Sequence, residues 1–121
     1  VARVAAIQAA KRTSDLIPLC HPVGIGGILI NFRIDDDSVE VEAQVETVDR
    51  TGVEMEALTA VSVSCLTIYD MCKSVDRGMD LGEITLWEKT GGRSGTYRRS
   101  IDTQGGNADS AGPSSGRDFD R

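Results

Sequence analysis

Apolar and polar positions alternate along this chain with two different periods, and the period changes mark its elements. Residues 1–11, VARVAAIQAAK, place Val4, Ile7 and Ala10 at helical spacing with no breaker, which predicts a helix. Two prolines punctuate residues 12–24, RTSDLIPLCHPVG, and predict a loop. Residues 25–34 predict a strand in which Ile28, Ile30, Phe32 and Ile34 alternate with Leu29, Asn31 and Arg33. The turn DDDS follows. Residues 38–48 then alternate again, with Val39, Val41, Ala43 and Val45 on one side and Glu40, Glu42, Gln44 and Glu46 on the other. The pair predicts a hairpin with one solvated, acidic face.

The most distinctive pattern is TGVEMEALTAVSVSCLTIYDMCK, residues 51–73, charged at its two ends and uncharged from Ala57 to Tyr69. Thr51 and Glu54 have the spacing of a capping box, which predicts the helix start. Glu54, Leu58, Val61, Cys65, Ile68, Cys72 and Val75 share one stripe, suited to a core. Glu56, Thr59, Val63, Leu66, Asp70 and Lys73 share a second, suited to a contact surface with a polar site at each extremity. Glu56 and Asp70 are fourteen positions apart, which on a helix is roughly 21 Å. They cannot act on one bond within one chain. A two-fold copy laying its helix antiparallel would bring them together, which predicts a site shared between subunits.

A last strand is predicted at residues 83–89, EITLWEK, with Ile84 and Leu86 inward. The order α-β-β-α-β gives an α+β class, with two helices on one face of an antiparallel sheet. One further strand before Val1 would complete the split β-α-β-β-α-β order of ferredoxin-like folds.

Composition narrows the function. The 121 residues form one small domain, expected at 1–99, and residues 100–121 are Gly-, Ser- and Asp-rich and expected to be disordered. A core of about a hundred residues gains from oligomerisation. The net charge of -6 argues against non-specific nucleic-acid binding. No segment reads as the roughly 20 apolar residues of a membrane span, and no signal peptide is visible. Cys20, Cys65 and Cys72 have no metal-ligand spacing, which predicts reduced, cytoplasmic thiols and no metal.

Several residues suit chemistry. His21, the single histidine, lies in a Pro-flanked loop and suits acid–base work near neutral pH, unless it simply packs there. Asp70 and Lys73, at i and i+3, form either a surface ion pair or a proton-transfer pair whose burial and pairing oppose one another. The capping box accounts for Glu54, whereas Glu56 has no such role. Lys11, Arg12, Lys73, Lys89, Arg93, Arg98 and Arg99 cluster near element ends, which suits a polyanionic small molecule. GGRSG lacks the full phosphate-loop pattern and reads as a flexible basic loop.

AAKRTSDLIPLCHP, TGVEMEALTAVSVSCLTIYDMCKSVD and EKTGGRSG, taken in that order, resemble the MoaC family, the cyclic pyranopterin monophosphate synthases of molybdenum-cofactor biosynthesis. The resemblance covers the chain to about Arg99. It implies a lyase acting on a cyclic dihydro-GTP intermediate supplied by a radical iron–sulfur enzyme, with release of pyrophosphate. It also implies a ferredoxin-like fold and a hexamer built as a trimer of dimers, with the site at the dimer interface. By motif, Asp70, Lys73, Lys89 and His21 would be catalytic. Leu19, Cys20, His21, Glu54, Met55 and Glu56 would bind substrate. No redox cofactor is implied, because the radical step comes earlier. The family's KGD lysine and first strand would lie upstream of Val1, outside this sequence. Two rival readings are a non-catalytic pterin- or nucleotide-binding paralogue and a structural ferredoxin-like assembly module.

Overall fold

The computed structural model describes residues 1–92 and 95–100. The tail from residue 101 onward and Arg93 lie outside the described residues. Seven elements follow in order: α1 (Ala2–Lys11), α2 (Thr13–Leu16), β1 (Ile25–Ile34), β2 (Val39–Thr47), α3 (Glu54–Cys72), β3 (Glu88–Lys89) and β4 (Tyr97–Arg98). The short α2 corrects the loop expected over residues 12–24. The buried Thr13 hydroxyl back-bonds to the Ala9 and Ala10 carbonyls, which satisfies the end of α1 and lets the chain turn again at once.

β1 and β2 form the expected antiparallel hairpin, with Ile30 opposite Ala43, Phe32 opposite Val41 and Ile34 opposite Val39. The amide of Asp35 donates to the Ser38 carbonyl at 2.8 Å and closes the turn. A bulge between Ile25 and Gly27 shifts the register. It lets Ile25 and Ile28, three positions apart, both pack against the core. The opposite face is less solvated than its acidity suggests. Asn31 is buried and donates to Glu42, and Arg33 bonds Glu40 at 2.5 Å.

The two helices lie on one face of this hairpin, α1 against β1 and α3 against β2, and they pack along each other. That is an α+β layering. Small residues fill the seam. Ala6, Ala9 and Ala10 of α1 and Ala60 and Ser64 of α3 are buried there, and Ser64 Oγ donates to the Ala2 carbonyl at 3.2 Å. Close backbone approach therefore replaces large side chains.

This seam corrects the two stripes assigned to the long helix. The buried residues of α3 are Glu56, Thr59, Ala60 and Ser64, which include the head of the expected contact stripe. Cys72 and Val75, expected in a core, are exposed. Size explains the exchange: two helices approach through their smallest side chains, whatever the distribution of leucine and valine. On α1, likewise, Ala6 and Ala10 are inward and Val4 is exposed.

By length and composition α3 also passes for a membrane-crossing helix, as a core helix can, which corrects the reading that no segment does. The strand expected at residues 83–89 is reduced to Glu88–Lys89. Alternation does not make a strand without a hydrogen-bonding neighbour, and only these two residues pair in a ladder, with the Trp87 carbonyl adding one bond from the Arg99 amide at 2.7 Å. Their neighbour is β4, so the described residues hold two separate two-stranded sheets, and Ile84 is exposed rather than inward.

Candidate functional site

Two connections meet at the N-terminal end of α3. The segment after α2 carries Leu19, Cys20 and His21, and the segment after β2 carries Thr51 and Gly52 into the helix. They are tied together beside the hairpin's open end. The Gly24 amide donates to Asp49 Oδ2 at 2.6 Å, and the Thr47 hydroxyl donates to the Gly24 carbonyl. The Asp49 amide in turn donates to Thr47 Oγ1 at 3.0 Å.

Between these segments lies a groove of about 330 Å³. Leu19, Cys20, His21, Glu54, Met55 and Glu56 all line it, so the six residues expected to bind substrate come together in one chain. Leu19 and His21 are exposed at its rim, and Glu56 is 3% exposed at its floor. Sequence reasoning missed Ile17, Val23, Thr51 and Gly52 as lining residues. A glycine placed directly before a helix start was the one available signal.

Glu56 is the most enclosed acid of the site. Its carboxylate accepts from the Cys20 thiol, with Sγ 3.9 Å from Oε2. Burial pushes the Cys20 thiol up from its ordinary value, and the charge and hydrogen bond of Glu56, then the charge of Glu54, push it further the same way. Cys20 is therefore a protonated donor near neutral pH rather than a thiolate nucleophile. Glu56 also borders a second, small cavity of about 40 Å³ with Thr13 and Pro22.

Glu54 does not form the expected capping box. Val53 is the N-cap of α3, and no side-chain cap bond is made. Glu54 Oε2 instead lies 3.8 Å from Lys89 Nζ, which also donates to the Gly95 carbonyl at 3.4 Å. The Lys89 side chain is only 8% exposed. An enclosed ammonium needs a carboxylate more than an exposed helix end needs a cap.

Asp70 and Lys73 lie at the far end of α3, and a single chain does not bring them to the groove. They form an i,i+3 ion pair at 2.9 Å with side chains 67% and 45% exposed. The hydrogen bond and charge of Asp70 hold the Lys73 ammonium above its ordinary value, with desolvation opposing weakly. Within one chain, then, pairing wins over burial, and the balanced proton-transfer pair is not reached. Nor do the C-terminal arginines face the groove. Arg98 bonds Glu88 at 2.5 Å, and Arg99 stacks over Trp87 at 5.8 Å, so both brace the β3–β4 hairpin. Among the described residues, no group of three or more His, Cys, Asp and Glu side chains is placed to hold a metal ion.

The fold and groove together define an α+β domain with an acid-floored groove at the start of its longest helix, its lining Glu54 paired with Lys89. The chain belongs to the MoaC family, whose profile matches residues 1–92. It is 60% identical over 101 residues to a cyclic pyranopterin monophosphate synthase of Heliobacterium modesticaldum, covering 82% of this chain and 64% of that protein. It is 62% identical over 104 residues to one of Thermomicrobium roseum, covering 84% of this chain and 63% of that protein. A cyclic pyranopterin monophosphate synthase 1 of Mycobacterium bovis is 61% identical over 100 residues, covering 82% of this chain and 59% of that protein. The chain thus spans less than two thirds of the length of the curated relatives it matches.

Proposed function

We propose that this chain is part of a cyclic pyranopterin monophosphate synthase, a lyase of molybdenum-cofactor biosynthesis. Its substrate is a cyclic dihydro-GTP intermediate, and its products are cyclic pyranopterin monophosphate and pyrophosphate. The observation that carries this reading is the convergence of Leu19–His21 and Glu54–Glu56, from distant parts of the sequence, on one groove. Relatives at about 60% identity that bear the synthase name add to it.

The chemistry is general acid–base catalysis with positioning, each positioned proton donor or acceptor contributing on the order of 10²–10⁴-fold. The groove holds the purine and ribose, with Met55 and Leu19 supplying apolar contact and Glu56 and the Cys20 thiol supplying acceptor and donor. Lys89 and His21 bear on the phosphates and on the proton moved at the reacting oxygen. Asp70 acts as acid or base and Lys73 as its proton-transfer partner. Both enter from the antiparallel α3 of a second copy, in a hexamer built as a trimer of dimers. There, enclosure by the neighbour lowers the Lys73 pKa, which the bond to Asp70 holds up in a lone chain. The enzyme works in the cytoplasm on the product of a radical iron–sulfur enzyme and needs no redox cofactor of its own.

The test is pyrophosphate release by the full-length protein supplied with the cyclic dihydro-GTP intermediate. Turnover lost in Asp70→Ala and Lys73→Ala, with the oligomer intact, supports the assignment. Tight binding without pyrophosphate release by the full-length protein replaces it with a non-catalytic binding paralogue.

A further inference from the structure

The Gly-rich turn after β3 comes back to the start of α3, and the two backbones meet at glycines. A Cβ added at Gly92 would stand 3.1 Å from the Gly52 amide nitrogen and 3.3 Å from Lys89 Nζ. A Cβ added at Gly52 would stand 2.6 Å from Glu54 Oε1 and 3.0 Å from Lys89 Cε. Gly92 is therefore packed against Gly52 and the Lys89 amine, and Gly52 against both Lys89 and Glu54. Gly92 has φ +76°, which only glycine adopts without strain. Its neighbour Gly91 supplies an internal comparison. Gly91 has φ +81°, yet a Cβ there would meet nothing within 4 Å.

We infer that Gly52 and Gly92 are positioning residues, whose backbone contact presses the Lys89 ammonium against Glu54 at the mouth of the groove. The constraint on Lys89 is steric. Lys89 sits on the two-residue strand β3, which is too short to fix a long flexible side chain by itself. Its amine is confined by Glu54, by the Gly95 carbonyl and by the space that two missing side chains leave. A methyl group at either glycine occupies that space, and the amine then swings outward toward solvent. The inference rests on the reading that Lys89 and Glu54 serve the site, but the experiment below reads amine access and not turnover.

The test is competitive acylation of lysines by acetic anhydride in the whole chain, quantified by peptide mass spectrometry with exposed Lys11 as internal reference. Gly92→Ala and Gly52→Ala are each expected to raise Lys89 labelling relative to Lys11 by about fivefold, as a local opening does. Gly91→Ala carries the same backbone strain without the contact and is expected to leave Lys89 protected. Protection of Lys89 in both contact variants overturns the assignment, and so does equal release in Gly91→Ala. If Gly92→Ala fails to fold by circular dichroism, Gly52→Ala alone decides. Released Lys89 in the glycine variants, together with no pyrophosphate release by the unsubstituted full-length protein, leaves the glycine roles standing and removes the synthase reading.

Discussion

The Cys20 thiol donates to the Glu56 carboxylate, Sγ to Oε2 3.9 Å, across thirty-six positions of sequence. This contact joins the loop that carries His21 to the first turn of α3, and it makes the thiol a reporter of the groove's charge. Iodoacetamide alkylation of Cys20 is expected to be slow at pH 8, because burial and Glu56 both favour the protonated form. Glu56→Gln removes the charge, lowers the thiol pKa and speeds alkylation by roughly three- to tenfold, since one pKa unit changes thiolate tenfold. An unchanged rate would contradict the contact.

The same thiol carries a pH dependence. Its pKa in the fold lies above the ordinary 9.0, so the folded chain keeps a proton that the unfolded chain releases. The resulting stability is complete below pH 9.0 and is lost as pH rises through the folded value. Cys20→Ala is expected to flatten that alkaline loss in urea midpoints measured from pH 8 upward.

Removing Lys89 leaves Glu54 without its cation. The pair is partly enclosed, with side chains 8% and 34% exposed, so Lys89→Met is expected to cost about 1–2 kcal/mol. The double variant Lys89→Met/Glu54→Gln is expected to regain most of it. Urea unfolding of the three proteins checks this.

Asp70→Asn is expected to leave the urea midpoint unchanged near neutral pH, because the Asp70–Lys73 pair is exposed. On the proposed assembly, its effect falls on catalysis between chains. Full-length Asp70→Asn and Glu56→Gln subunits, each inactive alone, are expected to regain about a quarter of wild-type pyrophosphate release when mixed and reassembled, since an isologous interface then contains some intact sites. No recovery would place both residues in one chain's site or outside it.

Ala60 is fully buried in the α1–α3 seam. Ala60→Leu is expected to destabilise by about 1–3 kcal/mol through overpacking, read as a fall in the denaturation midpoint with unchanged slope.

The hairpin was legible almost residue by residue, because alternation and a DDDS turn fix a register that either holds or fails as a whole. The long helix was legible in extent but not in orientation. The hydrophobic stripe points to one face as the core, while the chain buries Ala60, Ser64 and a glutamate. That choice follows from the identity of the neighbouring element, and α1 offers alanines. The six residues named by motif as substrate-binding line one groove, and their roles stay part of the proposal. The capping box failed because Lys89, thirty-five positions away, competes for Glu54. No local pattern contains that information. The β3–β4 pairing was missed for the same reason, since two residues show no periodicity.

The apolar part of the sealed interior consists of Ala6, Ala9, Ala10, Ile30 and Ala60 among the described residues, and four of these five bring a single methyl group. Little hydrocarbon is there to hydrate when one chain opens, so the heat-capacity step of unfolding a lone chain is small. Leu66 and Met71, each 59% exposed on α3, are the reserve that a second copy would cover. In the proposed oligomer, melting temperature is expected to rise with protein concentration, so that dilution would act on the assembly as heating acts on a protein with a larger interior.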